Sequence, residues 1–256
     1  MLFDEAHHNL HTSGGRYKPF AELITEDGYT VTPNTAPFSA DTLQGFDVLV
    51  ISNARGAGQE VPMEERSRPA FTTAEVEAVG DWVEAGGALL LIADHYPIGS
   101  ANRPLGDRLG VSMSNGWTED PANRDPVLQD LLFSRDNGLL GDHPITRGRS
   151  PQERIGRVVS FLGQSLAGPP GSVPLLRLAP SAVDELPPDR KQSVSAAGRS
   201  QGLAMTLGKG RVVVMGEAAM LTSQTFDGMV LGFDSPGIDN RQLVLNILHW
   251  LSGELD

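Results

Sequence analysis

There is no cysteine among the 256 residues. A thiol nucleophile, a thiolate metal site and a disulfide are therefore excluded. No apolar run approaches the roughly 18 residues of a membrane span. Basic residues are in deficit: 20 Lys and Arg face 32 Asp and Glu, for a net charge of −12. A chain that acidic repels phosphate backbones and anionic lipid, so nucleic-acid and membrane partners are not expected, and a small-molecule substrate is. Familiar loops are missing too. Ser13-Gly14-Gly15, Gly56-Ala57-Gly58 and Gly208-Lys209-Gly210 fit neither phosphate-loop nor dinucleotide spacing. No G-x-S-x-G elbow is present, which counts against an α/β-type serine hydrolase. No leader is visible, because Met1-Leu2-Phe3 runs at once into Asp4-Glu5. A cytoplasmic location and export with a leader already removed both stay open, as does the oligomeric state.

What is present reads as one globular α/β domain over residues 1–256. Met1–Glu5 and Tyr29–Thr32 are short β-rich runs. Pro19–Asp27 is a helix with Phe20, Leu23 and Ile24 on one face. Phe46–Ser52 and Ala88–Ala93 are nearly all apolar, as strands buried on both faces must be. Thr72 and Glu75 form a capping box for a helix carrying Val76, Val79 and Val83, and Gly86-Gly87 stops it. A weaker helix covers Asn102–Leu109, interrupted by Pro104. Gly202–Gly216 is a strand pair turning at Gly208-Lys209-Gly210, and Asn240 caps a final amphipathic helix. The Pro-, Gly- and Ser-rich stretch from Gly138 to Arg199 reads as loops and added strands at one side. Alternation of this kind predicts a mostly parallel central sheet with helices on both faces and extra β and loop insertions.

The six histidines are the informative feature: His7, His8, His11, His95, His143 and His249. Most sit beside carboxylates just past strand ends, in Asp4-Glu5-Ala6-His7-His8, Asp94-His95 and Asp142-His143, and a further strand ends in Gly216-Glu217. Residues past the C-terminal ends of parallel strands share one crevice. Imidazole nitrogen and carboxylate oxygen there suit zinc and other divalent ions. A hydrogen-bonded His–Asp pair fixing a loop is the competing account of each pair alone. His8 is expected to point away from its neighbours, and His249, in the last helical turn, has no role. Ser52-Asn53 ends a strand where its polar groups can meet a ligand. Arg103 and Arg147 can hold an anion, with plain surface exposure as the competing account.

The segments FDEAHHNLHT, PFAELITEDGY, FDVLVIS, WVEAGGALLLIADHYPIG, DHPITRG and GKGRVVVMGEAAM…DNRQLVLNILHWL resemble those of uncharacterised bacterial proteins with a class I glutamine-amidotransferase-like fold. Gliding-motility and intraflagellar-transport GIFT domains share that fold group. The resemblance spans nearly the whole chain. It implies a flavodoxin-like three-layer sandwich, and it places Ala93-Asp94-His95 at the turn where amidotransferases carry their catalytic cysteine. Without cysteine, the glutaminase reaction is excluded.

The leading expectation is a metal-dependent hydrolase of an ester or phosphoester. Its metal ligands are His7, Asp94 and His95, with Glu5 next, holding zinc first and manganese or iron as alternatives. Glu217 and His143 are the catalytic acid/base candidates. Asn9, His11, Asn53 and Arg147 are the substrate-binding candidates. Metal-bound water would supply hydroxide near neutral pH. The alternatives are a non-catalytic sugar- or protein-binding module on a degenerate scaffold, and a metal-free hydrolase using Asp94 and His95.

Overall fold

A computed structural model of the chain describes residues 1–226 and 228–256. The first half alternates: β1 (Leu2–Asp4), α1 (Lys18–Glu26), β2 (Thr32–Asn34), α2 (Ala40–Leu43), β3 (Val48–Ser52), α3 (Met63–Arg66), α4 (Thr73–Ala85), β4 (Ala88–Ile92) and α5 (Ile98–Arg108). A strand-rich middle follows: β5 (Ser112–Met113), β6 (Trp117–Glu119), β7 (Leu131–Ser134), α6 (Pro144–Arg147), β8 (Arg157–Ser160), β9 (Leu166–Ala167), β10 (Val173–Arg177), β11 (Val183–Glu185) and β12 (Ser193–Ser195). Last come β13 (Ser200–Leu207), β14 (Gly210–Met215), the hairpin β15 (Ser223–Phe226) and β16 (Met229–Gly232), and α7 (Asn240–Leu251).

The main sheet runs β2-β1-β3-β4-β14-β13-β9-β5, with β10 also on β13. From β2 to β14 every neighbour is parallel, and beyond β14 the pairing is antiparallel. Its apolar strands explain the centre. Val50, Leu90 and Val213 lie in one cross-strand row, and Ile51, Leu91 and Val214 in the next. Side chains alternate faces along a strand, so successive rows serve opposite cores. The first row packs with Phe20, Leu23 and Ile24 of α1 and Leu243, Val244 and Ile247 of α7. The second packs with Val76, Val79 and Val83 of α4 and Ile98 and Leu105 of α5. Helices thus cover both faces, and α/β with a mostly parallel sheet is the observed class.

Some boundaries differ from the sequence expectation. The strand expected at Tyr29–Thr32 falls at Thr32–Asn34, where an edge position tolerates Pro33. Helix α5 begins at Ile98 and carries Pro104 inside it. Its buried Ile98, Ala101 and Leu105 extend the apolar stripe back past Asn102. Asn240 does not cap α7: Asp239 holds that position, without a side-chain cap bond. The Asn240 amide instead accepts from the Val159 N–H at 3.0 Å and donates to the Val159 carbonyl at 2.8 Å, pinning α7 to β8. Among the described residues no helix is long and apolar enough to cross a membrane.

Candidate functional site

Parallel pairing sends the C-terminal ends of β1, β3, β4 and β14 to one edge, and a crevice of about 370 Å³ opens there. Asn53, Asp94, His95, His11, the loop after β3 and helix α3 contribute to its walls. A groove of about 830 Å³ beside Arg135, Arg157 and Asp239 is larger. Its charges are paired within the protein, although Arg157 Nε has no partner among the described residues: Arg157 pairs with Asp125, Asp239 accepts from the Gly156 N–H, and Arg135 donates to the Ile155 and Thr146 carbonyls. The crevice lies at the carboxyl edge of the parallel strands, where His95 Nε2 has no hydrogen-bond partner among the described residues, and it is the better candidate.

The turn after β4 is built by its neighbours. Asn53 sits in the left-handed region at φ +49°, which Asn tolerates better than most residues. From there its side-chain oxygen accepts the Asp94 N–H at 3.0 Å. Fully buried Gln164 donates to the Ala93 and Asp94 carbonyls at 2.7 and 3.0 Å. Gly99 admits this amide, since a Cβ there would lie 2.5 Å from Gln164 Oε1. Asp94 Oδ1 accepts the His95 N–H at 2.8 Å. Burial pushes the Asp94 carboxyl up, against the pull of His95. Glu217 is pushed well above the ordinary range by burial and by the Asp94 carboxylate. Its two oxygens accept the Ala219 and Met220 N–H groups at 2.7 Å each.

The His95 ring is half-exposed in the crevice, with Nδ1 2.9 Å from the Tyr96 carbonyl. A carbonyl accepts, so Nδ1 carries the proton and a neutral ring presents a bare Nε2. That nitrogen lies 3.8 Å from Asp94 Oδ1, and the Trp117 ring is 5.3 Å away. His11 stacks on Tyr17 at 4.6 Å and meets Ser52 Oγ at 3.1 Å through Nδ1. Burial, then Arg16 and Arg55, push its pKa down to about 3, so it is neutral.

Other expected residues are engaged elsewhere. His7 places Nδ1 2.8 Å from Asp4 and Nε2 2.7 Å from Glu75, between the rings of Phe38 and Phe71. Both nitrogens are occupied, and neither is free for an ion shared with His95. Glu5 accepts from the Ser13 N–H and hydroxyl at 2.8 and 2.6 Å. Asn9 bridges the His7 N–H and Asp4 Oδ2 at 2.9 Å each, ordering the loop. His143 is the N-cap of α6, with Nδ1 accepting the Ile145 N–H at 3.2 Å. It packs against Trp250 and senses Arg211, at the start of β14. Six residues of strand at roughly 3.3 Å each separate that end from Glu217. Arg147 pairs with Asp142 at 2.9 Å, and Arg103 is exposed on α5. Among the described residues no group of three or more His, Asp or Glu side chains is arranged to hold a metal ion.

The sequence reading missed Arg16, Arg55, Arg66 and Gln164. Gln164 belongs to the loop after β8, and nothing local marks it. The arginines lie on three segments that only the fold brings together around the crevice.

Fold and crevice together define an α/β protein with a cavity of about 370 Å³ at the carboxyl edge of the parallel part of its sheet. The chain belongs to the DUF4350 family, a domain of unknown function, whose model matches residues 12–248. The mmIFT52 N-terminal domain is similar at a TM-score of 0.68 and 16% identity, over 98% of this chain and 97% of that one. A cytoplasmic protein from Salmonella typhimurium is similar at 0.55 and 15% identity, over 98% of each chain. A ThuA-like protein from Bacteroides uniformis follows at 0.51 and 17%, over 98% of this chain and 89% of that one. At these identities the likeness shows the fold alone. The first agrees with the intraflagellar-transport side of the resemblance, and none of the three is an amidotransferase. No curated protein matches the sequence significantly.

Proposed function

We propose that the protein is a small-molecule-binding module on a flavodoxin-like, amidotransferase-like scaffold, with its ligand held in the crevice beside Asp94 and His95. One observation carries the reading: the turn that would bear an amidotransferase nucleophile is braced by Asn53 and Gln164, and its polar side chains face a cavity of about 370 Å³. Pockets of that size suit small ligands. Trp117, beside His95, is the natural reporter. Screening neutral sugars and small acids by tryptophan emission and thermal shift tests the reading. A binder should lose at least tenfold in affinity in His95→Ala. Binding untouched by His95→Ala and by Asn53→Ala would put the ligand elsewhere.

Hydrolysis is the second reading, favoured by the bare Nε2 of His95. Aimed into the crevice, that nitrogen suits a general base taking a proton from water. A catalytic zinc takes three protein ligands, and the crevice offers chiefly Asp94 and His95, so water activation here falls to the imidazole. Ester and phosphoester panels, run with and without chelator alongside elemental analysis, test it. Turnover that survives chelation and disappears in His95→Ala supports the base. Turnover lost on chelation and restored by zinc would return the activation to an ion.

A further inference from the structure

Several arginines elsewhere on this acidic molecule pair with acids, while others, such as Arg135 and Arg199, are held by carbonyl and hydroxyl oxygens. Arg108 takes Glu77, Asp81 and Glu84 at 3.0, 3.0 and 2.9 Å, and Arg149 takes Glu153 at 2.8 Å. Three crevice arginines do not. Arg16, Arg55 and Arg66 all line the cavity, and among the described residues no carboxylate lies within 4.0 Å of their guanidinium groups. Arg55 is the buried member, with 7% of its surface exposed. Its Nε donates to the His8 carbonyl at 2.7 Å and its backbone N–H to the His7 carbonyl at 2.9 Å. Its two terminal nitrogens have no hydrogen-bond partner among the described residues. Arg66 is held by Nε to the Val61 carbonyl at 2.8 Å and through a further bond to the Gln59 carbonyl. Arg16 is exposed at the rim. Both neighbours repel Arg55: after burial itself, Arg66 and then Arg16 push its guanidinium down, and exposed Glu60 relieves this in part.

A buried cation held in place by carbonyls, with its donor fork left open and two more cations beside it, is costly unless a ligand supplies the counter-charge. Among the described residues that line the crevice, the carboxylate is Asp94, which burial shifts toward its neutral form. Guanidinium forks match the oxygens of phosphate in a bidentate way, and a phosphate monoester carries about −1.5 to −2 charge near neutral pH. We infer that the crevice takes a small phosphate monoester, its phosphate held by Arg55, Arg66 and Arg16 and its body against Asn53, Asp94 and His95. This rests on the crevice being the ligand site. It adds the chemical class.

Calorimetric titration of the full chain with inorganic phosphate, glucose 6-phosphate, glucose and succinate tests the assignment. Phosphate and glucose 6-phosphate should bind, the ester more tightly, and glucose and succinate at least tenfold more weakly than the ester. Arg16→Ala sits at an exposed position and leaves the fold intact. It should weaken the ester at least fivefold, and Arg55→Lys, which keeps charge but loses the fork, at least tenfold. Arg147→Ala, outside the crevice, should change nothing. Ester binding unchanged in both Arg16→Ala and Arg66→Gln overturns the inference, as does succinate binding as tightly as the ester. Glucose binding as tightly as its phosphate, and lost in His95→Ala, would overturn the phosphate class while sustaining the crevice. Failure of all four compounds also overturns the class, and the sugar and acid screen then judges the crevice separately.

Discussion

At the end of β1 an imidazole is clamped between two acids. Burial alone would lower the His7 pKa, but Asp4 and Glu75 outweigh it and hold it above 6.5. Glu75 is correspondingly held down to about 2, burial being outweighed by His7 and the Thr72 and Phe38 donors. His7→Ala leaves two carboxylates without their cation, and should cost about 3–5 kcal/mol. The sign follows from linkage. The contribution of His7 is complete below pH 6.5 and is lost as pH rises through its elevated folded value. That of Glu75 is present above 4.5 and is lost as pH falls toward about 2. Urea unfolding across pH 5 to 9 should therefore show the gap between parent and His7→Ala closing on the alkaline side. A gap that stays constant would mean the imidazole is not charged. His143 behaves oppositely, since burial, then Arg147 and Arg211, push it down to about 4. Its contribution is present above 6.5 and falls away as pH drops from there toward 4. His143→Asn keeps an acceptor for the Ile145 N–H and removes the titration, so the acid limb of the stability curve should become shallower.

Helix α4 carries its own start signal. Thr72 accepts the Glu75 N–H at 3.3 Å, and Glu75 returns a bond to the Thr72 N–H at 2.9 Å. Thr72→Ala should cost about 1 kcal/mol, read as a lower urea midpoint at unchanged m. That box was legible because its partners lie three residues apart. Strands β3, β4 and β14 were legible because burial on both faces demands continuous apolar runs, and the parallel register matches that expectation. The Asp94–His95 turn could be placed from its position past such a strand. Asn53 and His11, also named from the sequence, line the crevice, whereas other expected residues are drawn away by remote partners. His7 is claimed by Glu75, 68 residues away, and Asn240 by Val159, 81 residues away. Arg55 and Arg66 carry no local signal in the sequence, and only the fold sets them around one cavity. Asn240→Ala removes the bonds joining α7 to β8. It should lower the midpoint more than Thr72→Ala does, since it strands the Val159 N–H in the core.

Charge acts on the molecule as a whole, and here it opposes the local site. The chain carries −12 overall, yet its crevice presents three arginines without acids within 4.0 Å among the described residues. An incoming phosphate therefore meets repulsion at a distance and attraction at contact. Salt screens the two unequally: the Debye length is about 30 Å at 0.01 M and about 8 Å at 0.15 M, while contacts in a partly buried pocket are screened much less. Stopped-flow association of glucose 6-phosphate, followed by tryptophan emission, should thus quicken as ionic strength rises from about 0.01 to 0.15 M. Ordinary cationic binding sites on basic proteins show the reverse, because their long-range field steers the anion inward. A rate that falls with salt would mean that the arginines govern the approach as well as the contact. The Arg16→Ala variant then separates the two ranges. Loss of this rim cation should mainly slow association, whereas Arg55→Lys, deeper in the wall, should mainly hasten release.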